Sequence, residues 1–210
     1  VGSEMCIRDR SIYIQKEGVS HIIPCLRQQV QKKGSEACYY SLSDFIMPAD
    51  TQKTDYIGVF TVTAGKEIEN RIEYYKQQDD NYNALLLQSL SDRIAEAATE
   101  LLHYRVRKEI WGYSPNETAT VENLLKEHYQ GIRPAIGYPS LPDQSLAFDI
   151  DKLLGFVQID VSLTENGAMK PNSTVSGIMI AHPQSAYFHI GQIDMEQRAE
   201  YCLLYTSPSP

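Results

Sequence analysis

The stretch NYNALLLQSLSDRIAEAATELLHYRVRKEIW, residues 81–111, decides the fold, because it predicts one long central helix. Its apolar residues recur at steps of three and four, which places them on one face of that helix. The WGYSPNE sequence that starts at the end of this stretch interrupts the pattern. The residues of the predicted apolar face are Leu87, Leu90, Ile94, Ala97 and Leu101.

Before the long helix, the sequence predicts two helices and two strands. The first helix covers residues 22–33, with Pro24 in its first turn. The strands cover residues 38–48 and 54–65, and the second of them is rich in β-branched and aromatic residues. EIENRIEYYKQQ, residues 67–78, predicts the second helix.

After the long helix, the pattern changes from helical to extended. Two short helices are expected at residues 120–129 and 143–155, the first capped by Thr118 or Thr120. Strands at both ends of the sequence, with helices between them, favour a single α+β domain built around an antiparallel sheet. The remaining predicted elements are strands at 156–162, 173–181 and 185–193, a hairpin turn at 182–185 and a helix capped by Asp194.

Both ends of the sequence are expected to be foreign to the native domain. VGSEMCIRDR, residues 1–10, and the last nine residues, 202–210, resemble translated adapter sequence. The part between them, residues 11–201, has the length of one domain with a proper core. A content of 42% hydrophobic and 22% charged residues is typical of a soluble globular protein.

Composition and missing motifs exclude several classes of function. A net charge of -8 makes the chain a poor candidate for binding a phosphate backbone. No apolar run approaches the length of about 20 residues that a membrane span needs. Cys25 and Cys38 lack CxxC or histidine spacing, which suits reduced thiols in a cytoplasmic protein and predicts no zinc site. Without GxGxxG, GxxxxGK[ST], GxSxG or HExxH, a nucleotide-binding Rossmann unit or a standard hydrolase is disfavoured, and the scattered histidines favour structural roles.

Three carboxylates of the long helix form a stripe roughly opposite its apolar face. Asp92, Glu96 and Glu100 are spaced four residues apart, and like charges at that spacing cost a few tenths of a kcal/mol each. One interpretation is a solvated face of an amphipathic helix. The other is a surface that meets a cation or a partner domain.

The proline-rich stretch GIRPAIGYPSLPD, residues 131–143, predicts an irregular loop of fixed shape. Such a loop loses little conformational freedom when a ligand binds. Arg133 offers a planar set of donors for a carboxylate, Tyr138 offers a ring, and the backbone of residues 135–137 is expected to be free for a small polar ligand. The alternative is a structural turn in which Arg133 makes an ordinary salt bridge.

Several long motifs resemble the C-terminal activation domain of cobalamin-dependent methionine synthases. The resemblance extends over residues 19–200. The arginine-to-GYP loop, followed further along by the VSG sequence, is a specific combination of motifs. The matching segments are DRIAEAATELLHYRVRKEIWGY (92–113), YQGIRPAIGYPSLPD (129–143), LTENGAMKPNSTVSG (163–177), AHPQSAYFHIGQI (181–193), LRQQVQKKG (26–34), SDFIMP (43–48) and TDYIGVFTVTAG (54–65).

This resemblance implies a C-shaped α+β domain with a twisted antiparallel sheet that binds S-adenosylmethionine. In that family the domain supports the reductive methylation of cob(II)alamin to methylcobalamin, with an electron from a flavodoxin-type reductant, as part of methionine biosynthesis. Activity is then expected of the whole methyltransferase and not of this fragment alone. The alternative is a docking module for the cobalamin domain and flavodoxin that binds no ligand by itself.

The resemblance also implies a set of site residues. Arg133 would hold the ligand carboxylate, and Glu96 would lie near its sulfonium or ammonium end. Asp92 would face the cobalamin-binding domain. Since the chain has no DxHxxG motif, cobalamin is expected to be held mainly by that neighbouring domain. The residues implied around S-adenosylmethionine are Arg133, Ala135, Gly137, Tyr138, Tyr187, Phe188 and Glu96.

Overall fold

Helices and short antiparallel strands make up the protein, whose computed structural model describes residues 10–29, 39–51, 53–118 and 120–206, with side chains as far as residue 202. The strands are β1 (Ser11–Lys16), β2 (Val19–Pro24), β3 (Gly58–Thr63), β4 (Ser162–Leu163), β5 (Met169–Lys170) and β6 (Thr174–Met179). The α-helices are α1 (Lys66–Gln77), α2 (Asn81–Arg105), α3 (Val121–Leu125), α4 (Leu146–Leu154) and α5 (Met195–Thr206). A π-helical turn, Val106–Ile110, continues α2, and 3₁₀ turns cover Leu42–Phe45, Ala49–Thr51 and Phe156–Ile159. The α+β class is therefore confirmed.

The described strands form three antiparallel pairs, β1 with β2, β3 with β6 and β4 with β5. The β3–β6 pair is extended on one side by the proline-rich loop, because Ile132 bridges to Ile180 and Ala135 bridges to Gly177. The loop thereby takes the place of a third, irregular strand beside β6. This pairing fixes the position of Arg133, which lies between the two bridges.

The close approach of the loop to β6 requires a glycine at position 177. A Cβ atom there would lie 2.7 Å from the Ala135 Cα atom and closer still to the Pro134 carbonyl oxygen. The Ile178 amide donates to that same carbonyl at 3.0 Å. Backbone therefore packs on backbone, and no side chain fits between them.

The β3–β6 pair lies between two helices, with both α2 and α4 in contact with its strands. The inward side of α2 carries small residues, which let its backbone come close to the sheet; those that are buried include Ala84, Ser91, Ala95 and Thr99. Phe60 and Met179 pack against the end of α2 and its π-helical turn. No described helix has both the length and the apolar character needed to cross a membrane.

The apolar face that the sequence predicts for α2 is turned toward solvent and not toward the sheet. Leu90, Ile94 and Leu101 are 53%, 46% and 59% exposed. The small residues on the inner side make the close contact with the sheet, which leaves the larger apolar side chains outside. Consequently the carboxylates at Glu96 and Glu100 are only partly exposed, on the side of the proline-rich loop.

Seven of the predicted elements are confirmed, with small shifts in their bounds. They are α1, α2, α3, α4, α5, β3 and β6. Asp80 caps α2 by accepting from the Asn83 amide, and Thr120 caps α3. Asp194 caps α5 as predicted, since its Oδ1 atom accepts from the Gln197 amide at 2.7 Å.

The predicted helix at residues 22–33 is wrong where the structure describes it, because Val19–Pro24 is strand β2. Pro24 occupies the end of that strand, where a missing N–H group disturbs the ladder least. Glu17 (φ 52°) and Gly18 (φ 84°) form the two-residue turn that joins β1 to β2. Residues 30–33 lie outside the described residues.

Three predicted strands are also wrong. Within residues 38–48, of which residue 38 is not described, Ser41 and Asp44 form a capping box that starts the 3₁₀ turn Leu42–Phe45. Within residues 156–162, a 3₁₀ turn buries Phe156 in the core, and strand β4 begins only at Ser162. Residues 185–193 form no strand, so the turn at 182–185 joins no hairpin.

Candidate functional site

A cavity of about 420 Å³ opens between α2, the proline-rich loop and residues 187–189. Its volume falls within the range of about 300–1,000 Å³ that is usual for small-molecule sites. Three carboxylates and one guanidinium line it, which makes the lining attractive to a ligand with a positive charge and one carboxylate. The lining residues that bear on its chemistry are Glu96, Glu100, Glu127, Tyr129, Arg133, Ala135, Tyr138, Tyr187 and Phe188.

Arg133 is held on three sides within this cavity. Its Nη2 atom lies 2.7 Å from Glu100 Oε2, and its Nη1 atom donates to the Tyr129 hydroxyl at 3.2 Å. Its backbone amide donates to the Tyr187 hydroxyl at 3.0 Å. Burial alone would lower the pKa of Arg133, but the surrounding oxygens of Tyr187, Glu100 and Tyr129 together raise it. The guanidinium is therefore a fixed positive charge.

A second arginine, Arg107, packs against the ring of Tyr129. Arg107 is fully buried and donates twice to Glu117, with both distances 2.7 Å. Its guanidinium carbon lies 4.0 Å from the centre of the Tyr129 ring, which is a cation–π contact. Tyr129 is thus clamped between a buried cation and the cation that faces the cavity.

His103 completes this buried cluster as a neutral group. It packs edge-on against Tyr129, with ring centres 5.4 Å apart, and its Nε2 atom lies 3.4 Å from the Tyr113 hydroxyl. Burial, with Arg107 and Arg133 nearby, lowers the pKa of His103 to about 2. A further positive charge between the two arginines is therefore avoided at neutral pH.

Tyr138 connects the loop to α2 at the mouth of the cavity. Its hydroxyl donates to Glu96 Oε1. This hydrogen bond, followed by partial burial, raises the pKa of Tyr138 to about 12, so the hydroxyl stays protonated. Tyr138 is 49% exposed and forms part of the cavity lining, so its ring is accessible to a ligand.

Six of the seven residues implied for the ligand line this one cavity; they are Arg133, Ala135, Tyr138, Tyr187, Phe188 and Glu96. Gly137 lies in the same loop but is not part of the lining. Asp92 also lies outside the lining, where its Oδ1 atom accepts from Ser173 Oγ at 2.6 Å and Gln88 Nε2 at 2.8 Å.

The expectation that the backbone of residues 135–137 is free for a ligand is wrong for the amides of Ile136 and Gly137. The Ile136 amide donates to Ser176 at 2.8 Å, and the Gly137 amide donates to Leu141 at 2.9 Å. The Ala135 carbonyl accepts from the Tyr138 amide at 3.2 Å. These bonds hold the loop against β6, so the loop contributes its shape and its side chains more than its amides.

Sequence reasoning missed Glu100 and Tyr129 as members of the site. Glu100 was part of the carboxylate stripe, but its partner could not be known before α2 and the loop were placed together. Tyr129 precedes Arg133 by four residues in the stretch YQGIR, and this nearness in sequence is the local signal for it.

A larger cleft of about 660 Å³ runs beside β3 and has a different chemistry. Its lining includes Phe60, Leu102, Trp111, Phe156 and Met179, and contains no charged side chain. A zwitterionic or cationic ligand would lose its hydration there without gaining a partner. The smaller, charged cavity is therefore the better candidate for a polar metabolite.

Comparisons with known proteins agree with this architecture. A crystal structure described as the MetH reactivation domain bound to AdoHcy matches with a TM-score of 0.82 and 41% sequence identity, over 88% of this chain and 57% of that one. The chain thus spans somewhat more than half the length of that relative. The family model described as "Vitamin B12 dependent methionine synthase, activation domain" matches residues 4–203. The chain belongs to the family of activation domains of vitamin B12-dependent methionine synthases.

Proposed function

We propose that the cavity around Arg133 binds S-adenosylmethionine and presents its methyl group for the reductive methylation of cob(II)alamin in methionine synthase. The observation that carries this proposal is a guanidinium fixed by Glu100, Tyr129 and Tyr187 inside a cavity of suitable volume. The solved relative supports it, since that domain is described as bound to AdoHcy, the demethylated form of the same molecule.

The charges of the cavity complement the two ends of the ligand. The α-carboxylate matches the planar donors of Arg133, which is the geometry that arginine recognises best. The sulfonium is a cation, and Glu96 at the mouth of the cavity provides an opposite charge. We place the carboxylate at Arg133 and the sulfonium toward Glu96, with the Tyr138 ring beside it.

The proposed reaction requires that the ligand is positioned correctly, and it requires no proton transfer. Cobalamin, when bound by the neighbouring domain in its reduced form, would supply the nucleophile for the methyl group, and the thioether that remains would be the leaving group. Because neither partner has to lose a proton, the absence of a catalytic dyad in the cavity is no obstacle. The residues of this chain would orient the ligand and exclude water from it.

Cobalamin itself is not assigned to residues of this chain. The sequence contains no DxHxxG motif, and among the described residues no group of three or more His, Cys, Asp or Glu side chains could hold a metal ion. The proposal places cobalamin on the adjacent domain, with an electron from a flavodoxin-type reductant, in the cytoplasm.

A docking module without ligand binding is less well supported. Docking through the carboxylate stripe would need Asp92, Glu96 and Glu100 together on an outer surface. Glu96 and Glu100 instead line the cavity, bound to Tyr138 and Arg133. Asp92 is exposed and remains a candidate contact for the cobalamin domain.

Equilibrium dialysis with S-adenosylmethionine and S-adenosylhomocysteine tests the proposal. Arg133→Ala should weaken the binding of both ligands by about 10-fold to 100-fold, as expected for the loss of hydrogen bonds to a charged group. Arg105→Ala is the matched control, because Arg105 is an exposed arginine that pairs with Glu109 in a surface salt bridge. Equal affinities of wild type and Arg133→Ala would reject the assignment.

A further inference from the structure

We infer that Glu100 accepts the α-ammonium group of the ligand, so that the Arg133–Glu100 ion pair binds both charges of an amino-acid zwitterion. This inference rests on the proposed binding of S-adenosylmethionine in the same cavity. It adds a residue that would select the class of ligand. That class is an α-amino acid conjugate that carries both its amino and its carboxyl group. Glu100 was not among the residues implied by the family resemblance.

Glu100 has one carboxylate oxygen in use and one without a partner. Its Oε2 atom lies 2.7 Å from Arg133 Nη2. Its Oε1 atom is buried and has no hydrogen-bond partner among the described residues. Such an unsatisfied group costs about 1–3 kcal/mol, a cost that is removed once a donor arrives.

The donor can arrive through the cavity, because Glu100 is part of the cavity lining. The last torsion of a glutamate side chain is soft and roughly two-fold, so we expect a rotation of the carboxylate to expose Oε1 to a donor in the cavity.

Arg133 retains donors for the ligand while it is paired with Glu100. A guanidinium has five N–H groups, and the described side-chain bonds of Arg133 go to Glu100 and Tyr129. In an α-amino acid the carboxylate and the ammonium group share one carbon atom. An arginine and a glutamate side by side therefore match the two groups in spacing and in sign.

The other carboxylates of the cavity are less suited to this role. Glu96 bonds to Tyr138 at the mouth of the cavity and not to Arg133. Glu127 is exposed and follows α3 on the outer side of the cavity. Glu100 is the carboxylate next to Arg133, and this proximity is what a zwitterion requires.

Isothermal titration with three probes separates binding of the ammonium from an indirect effect on Arg133. The probes are S-adenosylhomocysteine, its analogue without the α-amino group, and its analogue without the carboxylate. In Glu100→Gln, the affinities for the two amine-bearing probes should fall by about 10-fold or more. The affinity for the deaminated analogue should stay at the wild-type value, which also shows that the variant is folded.

Matched variants make the result decisive. Glu109→Gln is the matched control, because Glu109 is an exposed glutamate paired with Arg105 outside the cavity, and it should leave all three affinities unchanged. A selective loss of the amine-bearing probes in Glu96→Gln but not in Glu100→Gln would overturn the inference. A Glu100→Gln variant that loses the deaminated analogue equally would also overturn it, because Glu100 would then act only by positioning Arg133. If wild type binds S-adenosylhomocysteine, Arg133→Ala does not, and Glu100→Gln binds like wild type, the proposed function stands and only this inference fails.

Discussion

Arg107 and Arg133 contact the same side chain, Tyr129, one through its ring and the other through its hydroxyl. The Arg107 guanidinium lies 4.0 Å from the ring centre, and Arg133 Nη1 lies 3.2 Å from the hydroxyl oxygen. Because Arg107 is fully buried, it has no route to a ligand. Its effect on the cavity is therefore transmitted through the position of Tyr129.

Removing the Tyr129 hydroxyl should loosen Arg133 without removing any ligand contact of the arginine itself. We expect Tyr129→Phe to weaken S-adenosylhomocysteine binding by about 3-fold to 10-fold, the value of one ordinary hydrogen bond. Tyr104→Phe is the control, because the Tyr104 hydroxyl bonds to Lys108 and not to the cavity. Calorimetry that gives the same Kd for Tyr129→Phe and wild type would show that this bond does not position Arg133.

Removing the buried guanidinium of Arg107 should affect the free energy of unfolding more strongly than the affinity for the ligand. Arg107→Met leaves Glu117 without its partner in a buried place, which we expect to cost about 3–5 kcal/mol in the free energy of unfolding. Replacing both partners with apolar residues, as in Arg107→Met with Glu117→Leu, should recover much of that loss. Urea denaturation measures both variants, and a single variant as stable as wild type would contradict the prediction.

The backbone contact between the loop and β6 predicts a strong effect at Gly177. Gly177→Ala forces the Pro134–Ala135 backbone away from the strand, so both the stability and the ligand affinity should fall. Gly18→Ala is the control: Gly18 has φ 84° but open space around it, so its cost should be about 1–2 kcal/mol with no change in affinity. Unchanged ligand binding in a folded Gly177→Ala variant would show that the loop position does not matter.

The neutral state of His103 predicts that stability falls at mildly acidic pH. The pKa of His103 is lowered from 6.5 to about 2 in the folded protein. Between these two pH values the unfolded chain therefore binds a proton at His103 and the folded protein does not. Stability from this group is complete above the unfolded pKa and is lost as the pH falls. We expect a loss of about 2 kcal/mol between about pH 7 and about pH 5.

A single substitution tests this origin of the pH dependence. His103→Gln should remove most of the slope between the same two pH values, whatever its effect on stability at neutral pH. His21→Gln should keep the wild-type slope, since His21 lies in β2, outside the cluster of Arg107, Arg133, Tyr113 and Tyr129 around His103. Equal slopes for wild type and His103→Gln in urea titrations would place the effect elsewhere.

Elements with strong local signals were predictable from the sequence. The β-branched run of β3 and the caps Thr120 and Asp194 identify their elements without tertiary information. The β1–β2 hairpin was missed because Pro24 suggested a helix start, whereas the Glu17–Gly18 pair was the better signal for a turn. Residues 185–193 alternate like a strand, yet the Ile190 carbonyl bonds to the Gln29 amide outside any ladder.

The orientation of α2 could not be predicted, since amphipathic patterns assign the large apolar residues to the inside. Here small residues such as Ala95 and Thr99 lie inside, because helix and sheet approach closely. The same inversion places Glu96 and Glu100 at the cavity. Arg133 and Tyr138 could be singled out from the loop itself, but their partners on α2 depend on tertiary structure.

The central claim is that Arg133 holds the carboxylate of an S-adenosyl ligand, and a crystal structure of this protein with S-adenosylhomocysteine tests it most directly. The account predicts the ligand carboxylate within hydrogen-bond distance of the Arg133 guanidinium, in the cavity beneath Tyr138. A ligand found in the uncharged cleft beside β3, with the Arg133 guanidinium still bonded only to Glu100 and Tyr129, would contradict it.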